Sequence, residues 1–357
     1  MTDKHIVKFD PVDLEMDVAE DETILDAAFR QGIALMHGCR EGQCGACKSI
    51  LIDGDVEMDR YSTFALADYE SDEGYILLCK AHAYSDVQIE LINFDEEELR
   101  NAVPLQHLTT TIESIDEVTH DIVSLKLRLV EPSTFVFKPG QYADIQLPDD
   151  SGHRSFSMAT TPTSASVIEF LIKKYAGGQF STLLEKELDG ALKVGDQLIV
   201  DGPYGSFTLR EWSDRPIVLI GGGAGMAPIL SLLRHMAEEK INRPVTFYYG
   251  ARNLTDLFYL DEIKKLGEQL TDFRFVPCLS DTWPDDWSAT GLNGESGFVT
   301  DVVSKQEKEM VACEYYLCGP PPMVDAALGL LDVNSVSLEQ VHFDKFTTSV
   351  ATTQVSA

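Results

Sequence analysis

Seven cysteines stand in this chain of 357 residues, and four of them are spaced for chemistry. Cys39, Cys44 and Cys47 follow one another as C-x4-C-x2-C, and Cys79 comes thirty-two positions later. Four thiolates in that spacing suit the two irons of a 2Fe–2S cluster. Gly38, Gly42 and Gly45 punctuate the run, so the loop can wrap closely and turn its backbone N–H groups toward the sulfurs. Zinc is the competing reading, but it favours cysteines in short pairs, whereas here three stand together with glycines among them. Cys278 and Cys313 carry no such pattern and read as buried structural residues. An odd count with clustered spacing argues against the disulfide framework of a secreted protein.

Other segments are built for phosphates and flat rings. Arg154-Ser155-Phe156-Ser157 follows a strand that starts near Gly140-Gln141-Tyr142. It offers a guanidinium fork for a phosphate and an aromatic face for a planar ring. Gly177-Gly178-Gln179-Phe180-Ser181-Thr182 reads as a turn opening a helix, with hydroxyls beside the backbone amides, which suits an anion. Gly202-Pro203-Tyr204-Gly205-Ser206-Phe207 reads as a tight turn. Gly221-Gly222-Gly223-Ala224-Gly225-Met226-Ala227-Pro228 lies between a buried strand and a helix, where backbone amides and the helix N-terminus can receive a pyrophosphate. It is not the G-x-G-x-x-G fingerprint, because Met226 falls where the last glycine would be. Cys318-Gly319-Pro320-Pro321-Pro322-Met323 follows another strand, and no histidine near Cys318 in the sequence marks it as a nucleophile. Singly, each segment is also compatible with an ordinary turn or strand.

Taken together and in this order, the segments resemble the ferredoxin–NADP reductase superfamily with an N-terminal plant-type ferredoxin domain. Within it they resemble the NADH-dependent reductase components of bacterial multicomponent monooxygenases. The resemblance implies that Cys39, Cys44, Cys47 and Cys79 are the metal ligands. It implies that Arg154 holds a flavin phosphate, with Ser155 beside it, and that Phe156 packs on the isoalloxazine ring where tyrosine is usual. Ser157 then lies near the reactive flavin nitrogen. Gly177, Gly178, Ser181 and Thr182 take the pyrophosphate, and Gly202 belongs to the turn that closes the barrel. Gly221, Gly222, Gly223, Gly225 and Pro228 form the nicotinamide-nucleotide loop, with Gly319 and Pro320 opposite. Cys318 lies by the hydride-giving carbon, and Phe346 or Phe343 shields the flavin. The implied catalytic residues are Ser157, Cys318 and Phe346. FAD is expected over FMN by analogy. Arg252 stands at the end of the second strand of the nucleotide domain, where the adenosine ribose belongs, with one acid in the Leu254–Leu257 stretch; NADH is therefore expected over NADPH. The implied function is to pass electrons from NADH through FAD and the 2Fe–2S cluster to a di-iron hydroxylase. The alternatives are the reductase of a Rieske ring-hydroxylating dioxygenase and, in another class, a non-catalytic iron–sulfur sensing module; the complete flavin and nucleotide motif set argues against the latter.

These residues need a multidomain frame. Residues 1–98 hold 24 Asp+Glu against 7 Lys+Arg and read as a small mixed sheet with one helix, which the resemblance makes a β-grasp 2Fe–2S ferredoxin domain. The helix starts at Thr23 and ends by Gly32, and Tyr75–Cys79 is expected as a strand. A linker is expected over 95–104. Residues 104–212 read as strands at Thr109–Ile115, Ile122–Leu129, Tyr142–Leu147 and Ile168–Lys173, with a helical patch near Ser181–Glu187. They are expected to form an antiparallel β-barrel, which the resemblance makes the FAD domain. Residues 215–346 alternate strand and helix, an α/β parallel-sheet NAD domain. Residues 347–357 are expected to be a disordered tail. Pro216–Leu233 is uncharged over 18 residues, but its glycines and prolines favour strand, turn and helix over a membrane span. The net charge of −31 excludes nucleic acid and anionic membrane as partners and favours a basic protein surface. Met1-Thr2-Asp3-Lys4 opens no signal peptide, so a reducing cytoplasm is expected.

Overall fold

A computed structural model describes residues 3–346 apart from 34, 93, 95–98, 100–102, 150, 165 and 186–187. The expected linker falls largely, and the expected tail wholly, outside the described residues. The first sheet has five strands in the order Leu14–Ala19, Lys4–Asp10, Val87–Leu91, Lys48–Asp53, Tyr75–Leu77. Lys4–Asp10 runs antiparallel to Leu14–Ala19 and parallel to Val87–Leu91, and its alternate residues Val7 and Phe9 enter the core. Helix Ile24–Arg30 lies on this sheet and buries Ile24, Leu25, Ala27, Ala28 and Phe29. Thr23 caps it by accepting from the Asp26 N–H at 3.1 Å. The Leu14–Ala19 strand and a short helix at Asp68–Asp72 were not expected from the sequence. The strand expected over Tyr75–Cys79 stops at Leu77, because the chain turns there and carries Cys79 out to the cluster loop.

The second sheet is antiparallel, in the order His153–Ser157, Tyr142–Gln146, Gln197–Tyr204, Gln106–Glu117, Ile122–Glu131, Val167–Lys173. A bridge between Met158 and Phe170 joins its two ends, which closes the expected barrel. Leu108, Leu125, Ile145, Phe170 and Val200 fill its interior. Gln197–Tyr204 and His153–Ser157 are strands beyond those expected; the polar sequence HRSFS of the latter has no strand-like apolar alternation. The helical patch is Gln179–Leu183, earlier and shorter than expected, and residues 186–187 lie outside the described residues.

The third sheet is parallel throughout, in the order Glu295–Ser296, Phe273–Leu279, Val245–Ala251, Ile217–Gly222, Glu314–Gly319, Val341–Lys345. Helices Met226–Glu238, Leu260–Gly267, Val299–Gln306 and Pro321–Val333 pack on it. Ile229, Leu232, Leu233 and Met236, the expected helix face, are fully buried. The chain passes to opposite sides of Ile217–Gly222, so the loops after it and after Glu314–Gly319 part and open a crevice at the carboxyl ends of the strands. Among the described residues no helix is long and apolar enough to cross a membrane.

Candidate functional site

The 38–47 loop runs directly into strand Lys48–Asp53, which pairs with Tyr75–Leu77. That pairing brings Cys47 and Cys79 together, with sulfurs 3.3 Å apart. Cys39 and Cys44 lie beside each other as a second pair. The N–H groups of Glu41 and Gln43 point at the Cys39 sulfur at 3.4 and 3.3 Å, and the Cys39 N–H points at the Cys44 sulfur at 3.3 Å. The Cys44 hydrogen bond and these amides draw the Cys39 thiol down to about 6 against its burial. A single zinc ion needs three or four ligands converging on one point, and no such group occurs among the described residues. Two cysteine pairs, one of them faced by the loop's backbone amides, fit two irons instead.

The flavin motif lies on the strand His153–Ser157, paired residue by residue with Tyr142–Gln146. Arg154 donates to the His153 carbonyl at 2.5 Å and to the Gln179 side-chain oxygen. Phe156 meets Phe180 with ring centroids 4.9 Å apart. The strand and the Gly177–Gly178 turn therefore converge. Ser181 accepts from the Tyr175 N–H at 2.9 Å, and Thr182 donates to the Gly178 carbonyl at 2.9 Å, so both hydroxyls also brace the turn. The turn expected from Gly202 starts later: the strand runs on to Tyr204, and the chain reverses at Gly205, with φ 95°.

At the end of the motif, buried Ser157 donates to Asp344 at 3.4 Å. Asp344 sits beside Cys318 in the register of the parallel sheet. Burial pushes the Asp344 carboxyl up to about 6, the Ser157 hydroxyl pulls against that, and the nearby Cys39 adds to the rise. Burial also pushes the Cys318 thiol up, which keeps it protonated and unsuited to nucleophilic attack. Sequence reading missed Asp344; the available signal was an acid two residues before Phe346 in the strand Val341–Lys345. Phe343 packs with Val341 and Leu331 on one face of the sheet. Phe346 packs with the cluster that holds Cys318, Met226 and Leu171, the face where the flavin and nucleotide motifs meet.

The nucleotide crevice has a volume of about 250 Å³. Gly222, Gly223, Arg252 and Pro320 line it, with Tyr249, Met323 and, from the barrel, Asp121, Ile122 and Lys173. Gly221, Gly225, Gly319 and Pro228 are not among its lining and shape it from behind. A Cβ on Gly225 would lie 2.2 Å from the Cys318 carbonyl oxygen. Gly319 has φ 142°, and a Cβ there would meet the Gly222 carbonyl oxygen at 2.7 Å. Only glycines let the two loops approach this closely. Arg252 is held by acids: its guanidinium lies 3.2 Å from Asp256 and 3.5 Å from Asp121.

Family models match all three modules. The 2Fe-2S iron-sulfur cluster binding domain matches residues 7–84, the oxidoreductase FAD-binding domain 109–209 and the oxidoreductase NAD-binding domain 219–328. The chain is 58% identical over 350 residues to the reductase component of propane 2-monooxygenase from Mycolicibacterium goodii, covering 98% of this chain and 99% of the relative. It is 31% identical over 351 residues to the electron transfer component of toluate 1,2-dioxygenase from Pseudomonas putida, covering 98% and 100%. The crystal structure of the Amycolatopsis reductase GcoB superposes with a TM-score of 0.82 at 28% identity, covering 97% of this chain and all of that one.

Proposed function

This chain belongs to the reductase components of multicomponent monooxygenases, and from that premise we propose that it carries electrons from NADH to a di-iron hydroxylase that oxidises propane or a similar small hydrocarbon. The observation that carries this reading is the convergence of three modules at one junction. Ser157 of the flavin strand bonds Asp344 of the nucleotide sheet, while Tyr142 of the neighbouring strand donates to the Gly38 carbonyl in the cluster loop at 2.8 Å. Identity of 58% to a propane monooxygenase reductase, against 31% to a dioxygenase electron transfer component, favours the di-iron partner over a Rieske dioxygenase.

When bound, the flavin accepts a hydride's two electrons together, whereas the cluster accepts one at a time. The chain's own residues do the rest. Cys39, Cys44, Cys47 and Cys79 supply the thiolates. Arg154 and the Gly177–Gly178 turn receive the flavin phosphates, and Phe156, backed by the buried Phe180, is the aromatic for its ring. Ser157 and Asp344 offer a hydroxyl and a half-buried carboxyl where the flavin and nucleotide modules meet, and Phe346 covers that place. Cys318 stays a neutral thiol, so it packs against a nicotinamide without reacting. Arg252, engaged by Asp256 and Asp121, favours NADH, because a 2′-phosphate would have to approach two carboxylates. The acidic ferredoxin domain fits a basic face on the hydroxylase. Seven cysteines outside any disulfide suit a reducing cytoplasm.

The test is reconstitution. The purified protein should hold two irons, two labile sulfides and one FAD, and NADH should reduce flavin and cluster without oxygen. Mixed with a propane-oxidising di-iron hydroxylase, it should support NADH-dependent propane consumption. Full reduction of both cofactors with no support for any di-iron hydroxylase, but turnover with a Rieske oxygenase, would move the partner to the other class.

A further inference from the structure

The face between the cluster loop and the flavin barrel contains a buried ion pair that the reactions above do not use. Arg40, between the first two cluster cysteines, reaches 104 residues along the chain to Asp144, with 2.5 Å between Nη1 and Oδ2. The Asp144 side chain is 4% exposed and the Arg40 side chain 17%. The guanidinium also lies over the Tyr204 ring, 3.9 Å from its centroid. The other oxygen of Asp144 accepts from the Ser155 hydroxyl at 2.6 Å. Its Oδ2, which also lies 3.4 Å from His153 Nε2, holds the cluster loop, and its Oδ1 holds Ser155 of the flavin-motif strand.

Neighbouring contacts repeat the theme. The Gly205 N–H donates to His37 Nε2 at 2.7 Å, and Tyr142 bonds the Gly38 carbonyl. Tyr142 and Tyr204, although carried by barrel strands, are built into the ferredoxin core. Asp144 belongs to this outer face because Tyr142 and Asp144 alternate with Ala143 and Ile145, which point into the barrel. A carboxylate buried at this junction has a cost in desolvation, which Arg40 offsets.

We propose that Arg40 and Asp144 are a positioning pair that fixes the cluster loop against the flavin strand, so that single-electron passage between the two depends on them while hydride transfer does not. This rests on the flavin and cluster reading given above. For each NADH oxidised to NAD⁺ and a proton, two electrons cross this junction one after the other; each reduces the cluster by one electron and leaves it when the acceptor is reduced. Neither residue touches the nucleotide crevice, so the first half of that sequence does not involve them.

The main variant is Asp144→Asn in the full-length holoprotein. It removes the charge but keeps an oxygen for Ser155, and it lies far from the cysteines in sequence. Leaving the largely buried guanidinium with only Asp26, 3.9 Å away, as a counter-charge weakens such contacts by roughly 30-fold. The expected result has four parts: iron and FAD content unchanged, the spectrum and potential of the reduced cluster unchanged, NADH–ferricyanide activity unchanged, and cluster reduction after flavin reduction slowed about tenfold or more in stopped flow. Limited proteolysis of the apoprotein and holoprotein should show faster overall cleavage in the variant. Arg40→Lys, which keeps the charge but loses the fork and the stacking, should fall between wild type and Arg40→Ala. The exchanged pair, Arg40→Asp with Asp144→Arg, should recover part of the lost rate. Unchanged cluster reduction and unchanged cleavage in Asp144→Asn would overturn the proposal. So would loss of FAD with an intact cluster signal, which would make Asp144 a local brace of the flavin strand. A wild-type protein lacking either cofactor would instead refute the reading beneath it.

Discussion

Asp256→Asn is expected to loosen the preference for NADH. Arg252 lines the nucleotide crevice with Asp256 at 3.2 Å and Asp121 at 3.5 Å, and Asp121 also pairs with Lys173 at 3.1 Å. Two carboxylates therefore balance two cations, and the guanidinium is not free to meet a further anion. A 2′-phosphate brings nearly two negative charges into this arrangement. At about 6 Å and an effective dielectric constant of about 20, removing one carboxylate relieves roughly 2.8 kcal/mol per phosphate charge. The phosphate's nearly two charges together would feel about twice that, but the Arg252 side chain is 52% exposed, so screening leaves about 1.4 kcal/mol of the total, a factor of roughly ten. The ratio of kcat/KM for NADPH to that for NADH should rise about tenfold, with the NADH value changed by less than about threefold. Ferricyanide reduction measures the ratio, and competition by 2′-phospho-AMP checks it without turnover. Asp121→Asn should act in the same direction from the barrel side. If neither substitution moves the ratio or the binding of 2′-phospho-AMP, the charge balance around Arg252 does not set coenzyme choice.

Three more outcomes can be measured. Gly225→Ala puts a carbon 2.2 Å from the Cys318 carbonyl oxygen, so the two nucleotide loops must part; a loss of about 1–3 kcal/mol in urea unfolding and a raised KM for NADH are expected, and a wild-type KM would contradict the packing argument. Glu314→Gln leaves Arg243 buried beside a neutral group where a 2.6 Å ion pair stood, and should cost about 3 kcal/mol in thermal or urea unfolding. Although burial pushes the Glu314 carboxyl up, hydrogen bonds from His342, Ser213 and Arg243 hold it at about 2, below its ordinary 4.5. Its contribution is thus complete above about pH 4.5 and fades as pH falls toward 2, because the unfolded chain binds the proton first; the variant should lack that part of the acid-unfolding slope. Cys44→Ser should abolish the cluster spectrum and hydroxylase support while leaving NADH–ferricyanide activity within about threefold, since hydride transfer uses the other two modules; a matching loss of ferricyanide activity would route those electrons through the cluster.

Legibility in the sequence followed how local each constraint is. The cysteine spacing, the Thr23 cap and the glycine loop at 221–225 are each specified within about ten residues, by ligand chemistry or by backbone geometry. The Thr23 cap and the glycine loop were found where expected, and the fold brings Cys47 and Cys79 side by side. The strand His153–Ser157 was obscured because the face it turns outward is polar, and its pairing with Tyr142–Gln146 is what makes it a strand. Tyr75–Leu77 came out shorter than its apolar run because Cys79 has to leave the sheet to reach Cys47.

By itself the sequence determined the three modules, their order and the residue types that bind iron, flavin and nucleotide, because thiol number, positive-φ glycines and hydrophobic period act over one loop or one element. Only the tertiary structure decided which of those groups meet. Ser157 finds Asp344 across 187 positions, Arg40 finds Asp144 across 104, and Arg252 finds Asp121 across 131. No local pattern marks such pairs. Each is a short polar contact whose partners are chosen by the packing of whole sheets, and it is that packing, with Tyr142 and Tyr204 set into the ferredoxin core, that puts the cluster loop beside the flavin strand.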